Sequence, residues 1–260
     1  MYRFLLSRRW LGLLVAAVLV AAACVALGRW QLDRLGERHD RNDLLSRNLG
    51  RAPVPPAELL AVGRGPREGD VWSRVRVTGR YDVERQLLVR LRPLDGAVGY
   101  DVLTPLVTEA GPALLVNRGW LPRDADATGS DLPAVPDTPT GTVTVTARVR
   151  PSEPASTTGT PPTGQVTRID VSEIARTLPY ALYGGYGELT AEQPAPAEAP
   201  QPRPAPEPSE GAHLAYAFQW FLFALLALGG FVLLSRREAE DRRAAAETSE
   251  PVRVTVLRQG

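Results

Sequence analysis

The 260-residue sequence contains no lysine, and all 30 of its basic side chains are arginines. It has one cysteine (Cys24), two histidines (His39 and His213) and one methionine, Met1. Without lysine the chain can form neither a Schiff base nor the lysine contact of a phosphate loop. A single cysteine excludes an internal disulfide, a zinc knuckle and a CxxC redox pair. Two histidines without a spare thiol or thioether argue against copper delivery and against a multi-histidine metal site.

Two uncharged apolar runs, residues 11–28 and 214–234, stand out from an otherwise polar chain. As α-helices they would be about 27 and 31 Å long, enough to cross the hydrocarbon core of a bilayer. The mean hydropathy of the whole chain is −0.13, so the region between the runs must be water-soluble. The sequence therefore predicts a membrane protein with two transmembrane helices, arranged as a hairpin, that bracket one soluble domain.

The first apolar run has two other interpretations. Arginines precede the run, and Ala21-Ala22-Ala23 lies in its second half, as in a cleavable signal peptide. With Cys24 the same residues resemble a lipoprotein cleavage site. The run continues past both sites through residues 25–27, where a mature protein would turn polar, and this favours an uncleaved anchor.

The arginines that flank the two runs predict an orientation. Five lie at the two ends of the region between the runs, and seven lie in residues 1–10 and 235–243 on the other side of the runs. The more basic side faces the cytoplasm, so both termini are predicted to be cytoplasmic and residues 29–213 extracytoplasmic. Residues 30–212 hold 20 arginines against 24 acidic residues, a net charge of −4. Without a basic patch, nucleic acid is not an expected partner.

Residues 29–192 are predicted to form a β-rich domain. Residues 31–48 look helical and prolong the first apolar helix, whereas alternating apolar and polar residues beyond them predict strands. The predicted elements are strands at 71–81, 86–91, 100–108, 113–121, 142–149 and 166–170, with one short helix at 171–178. This is an α+β pattern, and it predicts a small β barrel or sandwich with one short helix.

Two further stretches lie outside the predicted core. Residues 151–165 are rich in proline, threonine and serine and are predicted to be a long loop. Seven prolines between Pro194 and Pro208 predict an extended tether over residues 193–213. The charged tail from Ser235 is predicted to lack regular structure for most of its length, although residues 252–257 are able to pair as a strand.

His213 lies at the start of the second apolar run. At 100° per residue, one stripe of that helix carries His213 with Tyr216, Ala217, Trp220 and Ala224, while Gln219 lies beside Tyr216. Trp30 and Gln31 occupy the corresponding end of the first run. Two interpretations stay open for this cluster. It is either an aromatic belt at headgroup depth, or it offers the His213 imidazole to a cofactor such as haem, whose iron needs only one or two ligands.

Residues 117–122, Asn-Arg-Gly-Trp-Leu-Pro, are the most distinctive segment of the predicted domain. Either a β-bulge places Trp120 in the core, or Arg118, Gly119 and Trp120 form an interaction surface.

No sequence pattern specifies an enzyme. Asp82, Asp95, Asp101 and Asp170 are scattered over predicted turns and strand ends, and no serine has a GxSxG context. Residues 184–187, Gly-Gly-Tyr-Gly, follow no phosphate-binding pattern. A pocket holding two close, buried carboxylates would be needed to revive a catalytic interpretation.

Five motifs, in order along the chain, resemble those of the surfeit locus protein 1 family. They are Gly28-Arg29-Trp30-Gln31-Leu32-x-Arg34, Val77-Thr78-Gly79-Arg80-Tyr81, Gly99-Tyr100 with Thr104-Pro105-Leu106, Val116-Asn117-Arg118-Gly119-Trp120-Leu121-Pro122, and His213-Leu214-x-Tyr216-Ala217-x-Gln219-Trp220. The sequence departs from the family's pattern in three places. The lysine that often follows the first motif in the family is missing, and Arg38 is the nearest cation. Gly211-Ala212 replace the asparagine pair that often precedes the histidine, and the tether of residues 193–210 is longer than the family needs.

The resemblance implies an assembly factor for haem-copper cytochrome c oxidase, with no enzymatic activity of its own. It implies that haem a binds through His213, near Tyr216, Gln219, Trp220, Trp30 and Gln31. Expected partners are the catalytic subunit of the oxidase, haem a synthase and the lipid bilayer. The arginine-rich composition indicates a high-GC bacterium, in which the oxidase lies in the cell membrane. A haem-independent scaffold that binds the apo-oxidase through its β domain is the alternative.

Overall fold

The computed structural model describes residues 3–109, 111–123, 132–155, 159 and 161–248. It divides into two compact units, one formed by residues 1–41 and 209–260 and the other by residues 42–208. The α-helices are α1 (Arg8–Gly50), α2 (Pro56–Leu59), α3 (Val171–Ala175) and α4 (His213–Thr248). The strands are β1 (Arg74–Tyr81), β2 (Leu87–Leu94), β3 (Ala97–Val107), β4 (Ala113–Pro122), β5 (Val143–Pro151), β6 (Gln165–Val166) and β7 (Leu182–Gln193).

The strands form one mixed seven-stranded sheet in the order β1-β5-β7-β4-β3-β2-β6. The pairs β4–β7 and β2–β6 are parallel, and the other pairs are antiparallel. β1 also pairs with β3 through Arg80–Val107 and Tyr81–Leu106, so the pairings of five strands close on themselves. The predicted strand-rich domain is thus a mixed sheet, and its form as a barrel or a sandwich stays a prediction.

Burial follows the strand periodicity of the sequence. Along β1 every second side chain is buried, including Val75 and Val77, because successive side chains point to opposite faces. β4 lies between β3 and β7 and is buried along nearly its whole length. The short helix α3 packs Val171 and Ile174 against the same sheet. Asp170 caps α3 by accepting hydrogen bonds from the amides of the second and third helical residues.

The first unit contains two long helical segments whose contacts run antiparallel. Trp10 of α1 meets Phe231 of α4 edge-to-face, with ring centroids 5.9 Å apart, and Gly28 of α1 lies against the Phe221 ring. Both helices are long and apolar enough to cross a membrane. Large apolar side chains are exposed along both, including Val15 and Leu225. The prediction of two long apolar helices is therefore confirmed.

The two predicted helical stretches at 11–28 and 31–48 form one continuous helix, α1, in agreement with the prediction that the second prolongs the first. The structure differs from the sequence prediction at three places. Strand β7 was not predicted at all, and β6 is a two-residue strand where five residues were expected. The predicted unstructured tail is helical as far as Thr248, because α4 continues through its charged residues. Residues 249–260, with the strand expected at 252–257, lie outside the described residues.

Candidate functional site

His213 is the first residue of α4, and its imidazole contacts α1. Its Nδ1 atom lies 2.8 Å from the Oε1 atom of Gln31. Because an amide oxygen only accepts hydrogen bonds, Nδ1 is the donor in this contact, and in a neutral imidazole the lone pair then lies on Nε2. Among the described residues, Nε2 has no hydrogen-bond partner. Gly211 lies directly under the ring, where a Cβ atom would come within 3.4 Å of Nε2. The site therefore presents one imidazole whose Nδ1 atom is hydrogen-bonded to Gln31 of the other helix.

The side chains predicted to surround His213 divide between two faces. Ala217 and Ala224 are buried, and Trp220 packs against the cluster that contains Ala224. These three follow the predicted packing stripe. Tyr216 lies on the same stripe by spacing, yet 50% of its surface is exposed.

The remaining predicted residues face outward. Gln219 is exposed, and Trp30 of α1 is 51% exposed with the Arg34 guanidinium 5.8 Å above its ring. The structure thus brings Gln31 to His213 and Trp220 to the helix contact. Trp30, Tyr216 and Gln219 form the outer surface of the same end of the unit.

The second histidine has a separate partner. The Nε2 atom of His39 lies 3.0 Å from a carboxylate oxygen of Glu210, and both side chains are about half exposed. The part of the chain that the structure describes holds no group of three or more histidine, cysteine or carboxylate residues that could bind a metal ion.

The segment predicted as a bulge or an interaction surface is buried. Only 1% of Arg118 is exposed, and Gly119 and Trp120 are buried as well. The register of β4 against β3 shifts at Arg118, which leaves that residue unpaired as in a β-bulge. The Trp120 indole donates a hydrogen bond of 2.7 Å to the carbonyl of Arg92. This geometry fits the first interpretation, in which a β-bulge places Trp120 in the core.

A second polar site, which the sequence did not predict, lies in the β-rich unit. We call it the arginine–carboxylate cleft. It has a volume of 350 Å³. Its ion-paired residues are Arg92, Asp101, Arg150, Glu153, Glu188 and Arg203, and Arg148 lies beside them. The four arginines and three carboxylates carry a net charge of +1.

The ion pairs of the cleft form two groups. Arg203 donates from Nε to Asp101 over 2.7 Å, and Arg92 pairs with Glu153 over 2.7 Å. Glu188 forms ion pairs with Arg150 at 2.7 Å and with Arg148 at 3.4 Å. Trp72, held at a positive φ of 71°, stacks under the Arg150 guanidinium at 3.8 Å. Every carboxylate in the cleft has at least one arginine partner.

Burial dominates the electrostatics of the cleft. Desolvation raises the pKa of Asp101, although the charges of Arg203 and Arg92 oppose it. Desolvation also raises the pKa of Glu188, and the negative charge of Asp101 adds to the effect. Glu153 differs because hydrogen bonds from Arg92 and the Ile169 amide outweigh its desolvation, which leaves its pKa lowered.

The carboxylates of the cleft are paired with arginines. Asp101 and Glu188 line one cleft, but each is neutralised by its own arginines. The other predicted carboxylates have structural partners. Asp82 accepts a hydrogen bond of 2.7 Å from Tyr180, Asp95 accepts one from Gln201, and Asp170 caps α3. The cleft therefore fits an ion-pair network that positions chain segments.

The fold and site define a class of protein that has a unit of two long apolar helices, a unit with a mixed β sheet, and a histidine of one helix that is hydrogen-bonded to a glutamine of the other. The model of the SURF1 family matches residues 18–225, which is most of the chain. The chain belongs to the SURF1 family.

Similar proteins come from bacteria and eukaryotes. An uncharacterized SURF1-like protein of Mycobacterium tuberculosis is 33% identical over 254 residues, which cover 95% of this chain and 91% of that protein. A SURF1-like protein of Monosiga brevicollis is 26% identical over 254 residues, 89% of this chain and 90% of its own. Surfeit locus protein 1 of Takifugu rubripes is 30% identical over 126 residues, 41% of this chain and 49% of its own.

Proposed function

We propose that this protein is an assembly factor for haem-copper cytochrome c oxidase. It binds haem a and assists its insertion into, or its stabilisation in, the catalytic subunit. The observation that carries the proposal is the His213 imidazole, whose Nδ1 atom is held by Gln31, in a chain of the SURF1 family. Its partners are the catalytic subunit and haem a synthase.

The residues around His213 fit a haem ligand. A histidine that donates from one ring nitrogen to an oxygen acceptor presents the other nitrogen to a metal in a fixed orientation. Gln31 supplies that acceptor, and Gly211 leaves space under the ring. Trp220 packs on the apolar helix contact, and Trp30 and Tyr216 offer exposed aromatic surface. When bound, haem a supplies the iron that the oxidase requires.

We place the two apolar helices across the bacterial cell membrane, with both termini cytoplasmic. The exposed leucine, valine and phenylalanine side chains along both helices support this placement, because such surface is stable only in an apolar solvent. The excess of flanking arginines in residues 1–10 and 235–260 supports the orientation. His213 and Gln31 then lie at the outer interface.

Substitution of Gln31 tests the role of the imidazole hydrogen bond. Full-length Gln31→Leu, purified in detergent from cells that make haem a, should bind haem at least about tenfold more weakly than the wild type, since partners of a metal-binding histidine have effects of this size. Gln193→Leu is the matched control, because Gln193 is an exposed glutamine at the end of β7 in the β-rich unit. Equal haem binding by the wild type and Gln31→Leu would contradict the proposal.

A copurification experiment separates haem carriage from a haem-independent scaffold. The proposal predicts that His213→Ala loses haem a, whereas Trp120→Ala keeps it. The alternative predicts that the catalytic subunit copurifies equally with the wild type and with His213→Ala, whether or not these proteins carry haem, but does not copurify with Trp120→Ala. In that case the β-rich unit acts as a scaffold for the apo-oxidase.

A further inference from the structure

The proline-rich segment does not run free of the β-rich unit. Gln201 forms an antiparallel bridge with Trp120 of β4, with backbone hydrogen bonds of 2.7 and 2.9 Å in the two directions. Gly119, at a φ of 136°, has no side chain to block this approach, since a Cβ atom there would lie 2.6 Å from the Gln201 carbonyl. The segment therefore pairs with β4 through its main chain.

The edge of β4 is open at this point of the sheet. β7 pairs with β4 only as far as Asn117–Glu188 and then continues along β5. Beyond Asn117 the main-chain groups of β4 on that side need another partner. Gln201 supplies it, so the segment takes the place of a missing strand.

The side chain of Arg203 fills a pocket prepared for a guanidinium. Its Nε donates to Asp101 over 2.7 Å, and its Nη1 donates to the carbonyl of Pro93 over 2.8 Å. Arg148 donates in turn to the carbonyl of Arg203. Asp101 is 4% exposed, and its other arginine contact, with Arg92, is longer at 3.6 Å. Arg203 thus provides the closest counter-charge to a buried carboxylate.

The sequence of the segment suits this mode of binding. Prolines occupy every second position from Pro200 to Pro208, which keeps the chain extended and leaves amide donors only on the residues between them. Gln201 uses its amide on β4, and Arg203 uses its side chain in the cleft. Main-chain pairing gives affinity and a side-chain pocket gives specificity, as in peptide recognition by strand addition.

We infer that the open edge of β4 and the arginine–carboxylate cleft together form a peptide-binding site for an extended, proline-flanked segment that bears an arginine two residues after its pairing residue. The chain supplies its own ligand, residues 200–204. The site is separable from its ligand, so the same peptide binds in trans once the intrachain copy is removed.

The test uses the full-length chain in detergent and a labelled, N-acetylated peptide of residues 200–208, with binding followed by fluorescence anisotropy. Arg203→Ala weakens the intrachain ligand and should bind the peptide at least about tenfold more tightly than the wild type, whose own segment competes at high effective concentration. Arg76→Ala is the matched control, because Arg76 is an exposed arginine of β1 outside the cleft, and it should behave as the wild type.

Specificity is tested with a peptide in which alanine replaces the arginine. This peptide should bind Arg203→Ala about tenfold more weakly, and adding Asp101→Asn should remove the difference between the two peptides. Gln201→Pro, which deletes the amide donor to β4, provides a second vacated chain in case Arg203→Ala does not fold. Equal binding of both peptides, equal binding by the wild type and the vacated chain, or no binding to a folded vacated chain would each overturn the inference.

Discussion

At the scale of single residues, the β-rich unit depends on buried charge. Glu153 accepts a hydrogen bond of 2.7 Å from Arg92 and another of 2.9 Å from the amide of Ile169. Together with the charge of Arg92 these bonds hold its pKa below the ordinary value of 4.5 in spite of its burial. A carboxylate with a lowered pKa stabilises the folded state above its unfolded pKa, and this contribution is lost as the pH falls.

Glu153→Gln is therefore expected to destabilise the protein at neutral pH. The loss should be about 1.5–3 kcal/mol, the range for hydrogen bonds to a charged group. It should shrink as the pH falls below 4.5 and through the lowered pKa of Glu153, because the wild-type carboxylate is then protonated as well. Urea unfolding of both proteins at a series of pH values between 3 and 7 measures the difference in their free energies of unfolding. A difference that does not change with pH would contradict this account.

A second residue-scale prediction concerns Gly119. Its φ of 136° is unfavourable for any other residue, and a Cβ atom would lie 2.6 Å from the Gln201 carbonyl. Gly119→Ala should lower the free energy of unfolding by about 1–3 kcal/mol and release the bridge between Trp120 and Gln201. The rate of hydrogen exchange at the Trp120 amide, which donates to the Gln201 carbonyl, should rise when the bridge is released. Gly69→Ala is the control, because Gly69 has open space around it.

At the scale of elements, the two long helices are in close contact at Gly28 of α1. A Cβ atom on Gly28 would lie 2.8 Å from the Phe221 ring, whereas one on Gly12 would meet nothing within 4 Å. Small residues at helix contacts allow such close approach in membranes. On α1 this contact lies about one turn of helix from Gln31, the hydrogen-bond partner of His213.

Gly28→Leu should separate the helices and destabilise the protein by about 1–3 kcal/mol, the usual cost of overpacking. Gly12→Leu adds the same side chain to the same helix and should have no effect. Thermal unfolding in detergent compares the two. Phe221→Ala should restore part of the stability of Gly28→Leu, and a failure to do so, with both single variants folded, would show that the Phe221 contact is not the cause.

The sequence predicted the strands that carry alternating apolar residues and missed the one that does not. β1 and β5 alternate valine with polar residues, so their periodicity was visible. β7 begins Leu-Tyr-Gly-Gly-Tyr-Gly, and glycines weaken a strand pattern. Those glycines are needed because neighbouring chain comes close, as at Gly187, where a Cβ atom would lie 2.8 Å from that of Ala147. Periodicity cannot report such tertiary contacts.

The candidate sites were predictable in part for a similar reason. Helical spacing placed His213 on one face with Ala217 and Ala224, and the structure keeps that face at the helix contact. The hydrogen bond to Gln31 joins residues 182 positions apart, which spacing along one helix cannot reveal. The burial of Arg118 was also hidden, because a buried arginine is rare and depends on carbonyl and aromatic partners from distant segments.

At the scale of the whole molecule, each unit carries a different kind of site. The helical unit presents one oriented imidazole, and the β-rich unit presents a cleft that binds an arginine of its own chain. The two sites share no residue. We expect Arg203→Ala to leave haem binding by the purified chain unchanged, and His213→Ala to leave peptide binding unchanged. Absorption spectra and anisotropy titrations of both variants check this independence, and a loss of haem in Arg203→Ala would contradict it.

The most direct test of the proposed function is the absorption spectrum of the full-length protein, purified in detergent from cells that make haem a. The account predicts a haem a spectrum for the wild type and for His39→Ala, whose histidine pairs with Glu210. It predicts loss of that spectrum in His213→Ala. A wild-type protein without haem, or a His213→Ala protein with the unchanged spectrum, would contradict the assignment of His213 as the haem ligand.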